Sequence, residues 1–292
     1  DASLTNGAGD NSYRYAGASD QVNNYVCFGS NVTPCPADNL YRIIGVFGDQ
    51  VKLIKSDYAT STLLGNDGDY KQAYTATGNA SSNYKGNNLA NIAAYTWNYK
   101  NNTTINSGYG SNTWSTSLLN KTNLNTNFIT NIGADWAAKI ADTTWKVGGN
   151  TWANIGTQPA KTAYQNEIVS PVTTNTTDNA TDYSAKVGLM YVSDYMYAAP
   201  QDKWTLVGYN SDASKDYRAA TSVNWMYMGL WEWTFSRSAF NSNIAFFVNY
   251  TGYVFNNHVG NYAYGVRPVF YLSSSVNYAS GSGTAADPIL VN

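Results

Sequence analysis

The chain of 292 residues is long enough for one large domain or two ordinary ones, with a sizeable core. Only 12% of its residues are charged, about half the usual share, and the net charge is −2, while aromatic residues reach 15%, with 25 Tyr and 9 Trp. Nucleic-acid binding is excluded because there is no basic run of the kind a phosphate-binding face needs, and no apolar run approaches membrane-spanning length.

A polar surface carried by Asn, Thr, Ser, Gly and Tyr suits an extracellular or cell-surface protein. Residues 1–24 form a Gly/Asn/Asp/Ser segment with little core potential, and the opening DASLTNGAGDNSYRYAG reads as a polar stretch emerging from something upstream. Cys27 and Cys35 lie close together in VCFGSNVTPCP. An even pair at short spacing is expected to close a small disulfide loop, with two free thiols as the alternative. A metal site is disfavoured, since the single His lies far away in sequence. Residues 1–38 are expected to form an N-terminal extension ahead of one domain at 39–292.

NLYRIIGVFGDQVKLIKSDYA predicts a β-hairpin. Ile43, Ile44 and Val46 precede the Gly48-Asp49 turn, and Val51, Leu53 and Ile54 follow it. Residues 60–112 predict a long excursion with an aromatic-anchored piece at Ile92–Tyr99. Helical spacing of Trp114, Leu118 and Leu119, then Leu124, Phe128 and Ile132, then Trp136 and Ile140, predicts a pair of short helices. Thr113 or Ser115 would cap the first, and Gly133 would end the second. TTWKVGGNTWANIG predicts a hairpin. VGLMYVSDYMYAA predicts a buried strand and a short helix begun at Ser193 or Asp194, and WTLVGY a further short strand. Arg267-Pro268 before Val269–Leu272 predicts a central strand that Pro268 can enter only at its first residue. Apolar residues after Pro288 predict a closing edge strand. No repeat or linker divides the chain, which reads as an α+β fold with mixed small sheets, two or more short helices and long loops.

Motifs for covalent chemistry are sparse. His258, in NNHVG, is the only His, and no nucleophile elbow G-x-S-x-G is present; a solvent-facing or ligand-contacting His is the better reading. Glu167 and Glu232 are the only Glu residues. Glu232 stands between two tryptophans in GLWEWTFSR, which fits an acid beside stacking rings in a glycan-processing site; a buried carboxylate paired with Arg237 or Arg267 is the better reading. GNDGDY (65–70) and TTDNATD (176–182) offer oxygen ligands of the type calcium takes, but lack EF-hand spacing, and Asx-turns are the ordinary explanation. No cofactor is expected, and no phosphate loop or dinucleotide fingerprint is present.

The informative segment is FVNYTGYVFNNHVGNYAYGVRP (247–268). Val248, Val254 and the turn Gly252 suffice for a hairpin, which leaves Tyr250, Thr251, Tyr253, Phe255 and Asn257 spare. Spare aromatics near a turn tend to be exposed, and contiguous exposed aromatic area marks binding surfaces. Tyr supplies contact area at low entropy cost, while Asn and Gly supply adaptable polar contacts.

WEWTFSRS, AFFVNYTGYVFNN, YGVRPVFYLS and the ending GSGTAADPILV together resemble a bacterial family of surface proteins with a C-type-lectin-like fold. The strand YRIIGVFGDQVKLI, the helix WSTSLLNKTNLN and the strand KVGLMYVSDY follow the same order, so the resemblance runs from about Leu40 to the end. Some members are similar to the variable proteins of diversity-generating retroelements, in which adenine-directed mutation scatters Asn codons into many residue types but never into Trp, Met, Glu, Lys or Gln. None of those five occurs from Thr234 to Tyr264, whereas several lie just upstream. NNYVCFGSNVTPCPADNLYRIIGVFG also resembles the start of surface proteins whose precursors carry a pilin-like leader and hydrophobic helix. The catalytic cysteines of formylglycine-generating relatives have no counterpart here, which argues against an enzyme.

The resemblance implies a secreted or surface-displayed ligand-binding protein, adhesin or receptor-like, presenting a face at about 227–264 that is open to diversification. Contact area would come from Phe235, Phe240, Phe246, Tyr250, Tyr253, Phe255, Tyr262 and Tyr264, with Tyr227 and Leu230 extending the face. Hydrogen bonds would come from Asn256, Asn257, His258 and Asn261, and Ser238, Ser242, Ile244 and Thr251 complete the set. Expected partners are a protein or glycan ligand on another cell or phage surface. The alternative is a pilin-like subunit using the same face to assemble with pilus neighbours; the third reading is a glycan-processing enzyme built on Glu232.

Overall fold

The structure is a computed structural model and describes residues 4–5, 8–75, 82–99, 109–151, 155, 157–173 and 180–292. Five strands open it: β1 (Leu4–Thr5), β2 (Ser12–Tyr15), β3 (Tyr25–Cys27), β4 (Leu40–Phe47) and β5 (Gln50–Lys55). The middle holds α1 (Ser61–Leu64), β6 (Tyr70–Ala73), β7 (Ala93–Thr96), α2 (Leu119–Phe128, running on as Ile129–Asn131), α3 (Ala134–Ala137), β8 (Thr143–Lys146) and β9 (Gly149–Asn150). Next come α4 (Ala160–Tyr164, running on as Gln165–Val169), β10 (Asp182–Ala185), β11 (Val187–Gly188) and α5 (Val192–Tyr197). The last third is β12 (Glu232–Ser238), β13 (Ile244–Val248), β14 (Val254–His258), β15 (Ala263–Tyr264), β16 (Val269–Tyr271), β17 (Tyr278–Ser280) and β18 (Ile289–Val291). The protein is thus α+β, with several small sheets and a few short helices.

The predicted hairpin β4–β5 is the centre of the main sheet, whose order is β11-β16-β5-β4-β3-β18-β17. A register shift in β4 between Ile43 and Gly45 bends the strand. One edge of β4 therefore serves two partners in succession, β3 at Leu40–Arg42 and β2 at Gly45–Phe47. This corrects the reading of residues 1–24 as lacking core potential. Strand β2 belongs to the main sheet, and Val22 is 2% exposed. Arg14 is buried too, and donates to the Asp194 carboxylate at 2.9 Å while Lys52 donates to the same carboxylate at 2.6 Å. Asp194 also accepts from the Tyr191 backbone N–H at the start of α5, so one buried carboxylate joins β2, β5 and α5. Next to β2 in the sequence, β3 ends in Cys27, which is bonded to Cys35.

Other local expectations change where a non-local partner wins. TTWKVGGNTW is no hairpin: β8 pairs antiparallel with β10, and β9 runs parallel to β12. WTLVGY contributes a single bridge, Val207 to Asp216. Pro268 leads into β16 as predicted, and β16 lies between β11 and β5. The closing strand β18 is internal, between β3 and β17, so the edge is β17. Helix α5 starts at Val192, slightly before the predicted caps. The predicted first helix is only a 3-10 turn at Trp114–Thr116, and α2 is one continuous helix, π-wound over its first ten residues. Gly133, at φ +88°, separates it from α3.

Helix α2 owes its place to asparagines as much as to Leu119, Leu124 and Phe128. Asn123, Asn127 and Asn131 stand four apart, on one helical face. Their amide nitrogens donate to the Leu64, Leu64 and Leu63 carbonyls at 2.8, 2.9 and 2.9 Å. These bonds satisfy carbonyls at the end of α1 that no further turn can reach. Indoles tie the sheets together: Trp97, Trp145 and Trp233 are buried, and their N–H groups donate to the carbonyls of Thr234, Ala185 and Tyr95. Among the described residues, no helix is long and apolar enough to cross a membrane.

Candidate ligand-binding face

The 227–264 window supplies most of two sheets. Strands β12, β13 and β14 form a sheet in the order β14-β13-β12-β9, and β15 caps a second sheet in the order β15-β7-β6. The hairpin read from Val248, Gly252 and Val254 is present: β13 and β14 pair antiparallel, with Val248 opposite Val254. Asn249 organises the turn, its Oδ1 accepting from the Thr251 N–H at 3.0 Å. Gly252 has φ +103°, and a Cβ there would lie 2.1 Å from Thr221 Cγ2, so the turn needs glycine.

Burial divides the expected site residues. Phe235, Ser238, Phe246 and Leu230 are 0–1% exposed and belong to the interior. Phe235 is a core ring, packed against Trp114 at 4.9 Å and Tyr191 at 5.2 Å. Their place on the ligand-contacting face is therefore corrected: they support the surface and do not form it. Tyr227, Asn256 and Tyr264 are nearly as buried. Ser242, Ile244, Tyr250, Thr251, Tyr253, Phe255, Asn257 and His258 are half-buried, and Phe240, Asn261 and Tyr262 are exposed.

The half-buried rings form two groups. Tyr253 and Phe255 pack on Tyr209 at 5.0 and 5.2 Å, with the Arg218 guanidinium over Tyr253. A second group lines a groove of about 430 Å³ where the two sheets meet. Its wall includes Gln72 and Tyr74 from the β6 end, Trp231, Asn257 on β14, and Tyr262 and Tyr264 around β15. Trp231 and Tyr262 both lie nearly parallel to Tyr264, with interplanar angles of 18° and 29°. Asn257 Nδ2 donates to the Tyr264 hydroxyl at 2.9 Å, and the Tyr74 hydroxyl accepts from the Trp231 N–H at 3.0 Å. Among the described residues, no charged side chain lines the groove. Gln72, Tyr74, Tyr209 and Trp231 were missed by sequence reasoning. Trp231 had a signal, as a Trp beside a buried strand, but the other three reach the face only through long-range packing.

The residues considered for covalent chemistry are structural. Arg267 Nε and Nη2 donate to the two oxygens of Glu232 at 2.7 and 3.0 Å, and both residues are about 1% exposed. Burial pushes the Glu232 carboxyl up and Arg267 pulls it back. With both oxygens engaged inside the core, Glu232 has no access to a glycosidic oxygen. Arg237 goes elsewhere, donating to the Val147 and Ala180 carbonyls. His258 stacks on Tyr109 at 4.3 Å. In GNDGDY, Asp69 accepts from the backbone N–H groups of Tyr99, Leu118 and Leu119, each at 3.0 Å, and so caps the entry to α2. TTDNATD lies largely outside the described residues, among which no cluster of three or more metal-ligating side chains occurs. Comparison with known proteins finds no matching family model, no matching curated protein and no matching solved structure.

Proposed function

We propose that the protein is a secreted or surface-displayed ligand-binding protein on a C-type-lectin-like scaffold, and that it recognises an uncharged glycan on another cell or phage surface. The supporting observation is the groove of Trp231, Tyr262, Tyr264 and Tyr74. Near-parallel rings offer apolar faces for the C–H side of a sugar, while Gln72, Asn257 and tyrosine hydroxyls offer hydrogen bonds to its rim. The disulfide supports an oxidising compartment. Binding here is recognition, with no covalent step. The half-buried set Tyr250, Thr251, Tyr253 and Phe255 lies beside the groove and provides positions at which a diversified window would alter specificity.

A glycan array followed by titration calorimetry tests this. Tyr262 is 45% exposed, so Tyr262→Ala is expected to weaken binding at least tenfold, about 1.4 kcal/mol or more, with the melting temperature unchanged. Unaltered affinity in Tyr262→Ala and Trp231→Ala would move the site off this groove. Concentration-dependent assembly of the purified chain, with no glycan bound, would instead favour the pilin-like subunit.

A further inference from the structure

A second concave site lies on the main sheet; it shares strands β6 and β7 with the aromatic groove but is lined by different residues of them, Tyr70, Ala73 and Ala93 in place of Gln72 and Ala94. It has a volume of about 530 Å³. Its lining includes Asp38, Tyr41 on β4, Lys55 on β5, Thr60 at the start of α1, Asn91, and Asn131 at the end of α2. Lys55 is paired directly with Tyr41, so the two side chains share one face of the sheet. Phe270, opposite Leu53 and in ring contact with Tyr41 and with Phe128 of α2, lies on that face too. The Lys55 side chain therefore leaves β5 on the face that α2 covers, where the pocket lies.

Lys55 is an anomaly in an otherwise well-satisfied interior. It is 1% exposed, and its Nζ has no hydrogen-bond partner. Lys52, three residues back along β5 and on the other face, shows the usual solution, a carboxylate at 2.6 Å. An ammonium held inside without a counter-ion costs several kcal/mol. Burial lowers the Lys55 pKa, while Asp38 and Asp57 pull it up and Arg267 opposes them. Neither aspartate comes within ion-pair distance of Lys55 among the described residues; Asp57 is occupied by the Tyr58 and Asn87 N–H groups and the Tyr84 hydroxyl.

We propose that this pocket binds a small molecule bearing one carboxylate, with the Lys55 ammonium as its counter-ion. The four-carbon lysine stem lets Nζ swing from its shielded position at the wall to a bound carboxylate. The charge lining the pocket selects the class. Lys55 is the one cation among the described residues that line the pocket, so a single carboxylate neutralises it, whereas a phosphate dianion would leave an unmatched negative charge in a pocket that already carries the exposed Asp38 at its rim. The polar side chains of Thr60 and Asn91 suit an oxygenated body attached to that carboxylate.

The test uses the whole chain, with propionate, benzoate and N-acetylglycine as monocarboxylate probes, and inorganic phosphate and propylamine as controls. With ¹³C,¹⁵N-lysine labelling, the Lys55 Cε signal is identified by its absence in Lys55→Met. At least one monocarboxylate is expected to shift that signal saturably and to raise the melting temperature. Lys55→Met, which fills the same volume without a charge, is expected to melt higher than the parent and to lose monocarboxylate binding at least tenfold in calorimetry. Trp231→Ala is expected to keep that binding, which separates this site from the aromatic groove. No saturable shift with any monocarboxylate, equal affinity in Lys55→Met, or preferential binding of phosphate would each overturn the proposal. Should Lys55→Met fail to fold, Lys55→Arg assigns the signal in its place, and a saturable shift of that signal in the parent protein, with monocarboxylate preferred over phosphate, decides.

Discussion

Replacing Glu232 with leucine is expected to lower the unfolding free energy by about 3–5 kcal/mol, because it leaves the buried Arg267 guanidinium without its carboxylate. The pair binds β12 to the segment entering β16, and Arg267 Nη2 also holds the Met226 carbonyl at 2.8 Å. Removing one partner strands a charge, which is far costlier than removing both. The double substitution Glu232→Leu with Arg267→Met should therefore recover a large part of the loss. Urea unfolding of the two single variants and the double variant would measure this. If Glu232→Leu shifts the midpoint by less than the equivalent of about 1 kcal/mol, the ion pair is not a structural keystone, and a functional role for Glu232 returns.

The second large effect is a pH dependence set by Glu167. This carboxylate is fully buried, and accepts from Asn150 Nδ2 at 2.9 Å, Ser236 Oγ at 2.7 Å and the Ser193 N–H at 3.1 Å. Burial outweighs these bonds and raises its pKa to about 7. In the unfolded chain a Glu titrates near 4.3. Between those values the folded state holds a proton that the unfolded state has released, so stability falls as pH rises. Across the window this amounts to about 4 kcal/mol. Asp194 works in the opposite sense. Burial would raise it, but Lys52 and Arg14 hold its pKa below the usual value. Its contribution is present above the unfolded Asp pKa near 3.9 and is lost as pH falls through the lower folded value. The protein is thus expected to be most stable in mildly acidic solution, near pH 4–5. Urea midpoints at pH 4.5 and 7.5 should differ in that direction, and Glu167→Gln should flatten the difference. Parallel pH profiles for the parent and Glu167→Gln would remove Glu167 as the cause.

What the sequence made legible were features whose cause is local. The β4–β5 hairpin follows from two apolar runs around Gly48-Asp49, and the β13–β14 hairpin from Val248, Gly252 and Val254. Pro268 limits where β16 can begin. What stayed hidden depends on partners distant in the chain. Nothing near β9 announces a parallel partner at Arg237, and a dipeptide strand carries too little pattern to be found. Arg14 looks like a solvated residue until Asp194, 180 positions away, appears beside it. The asparagines of α2 read as poor helix formers because their payoff lies in the carbonyls of α1. For the candidate face, composition singled out the 227–264 window but said nothing of the facing of each side chain. Phe235 and Phe246 are as aromatic as Phe240, yet the first two lie on β12 and β13, whose residues are almost all buried, while the third follows the end of β12 at 70% exposure. Tyr74 and Tyr209 were out of reach for the same reason as Arg14.

Part of the sparse charge of this chain has gone inside, with Arg14, Arg42, Lys52, Asp194, Glu167 and Glu232 all buried, and the formal net charge of the whole molecule is only −2. Such a molecule projects little long-range field, so partners are not steered toward it from beyond a Debye length of about 10 Å in ordinary salt. Encounter is then a matter of diffusion and orientation, at about 10⁵–10⁶ M⁻¹s⁻¹, and discrimination among partners must come from residence time. A capture rate that changes less than about twofold between 20 and 500 mM salt would be the kinetic mark of this design, and a steep salt slope would contradict it. If the proposed binding holds, its recognition would change little between fresh water and brine.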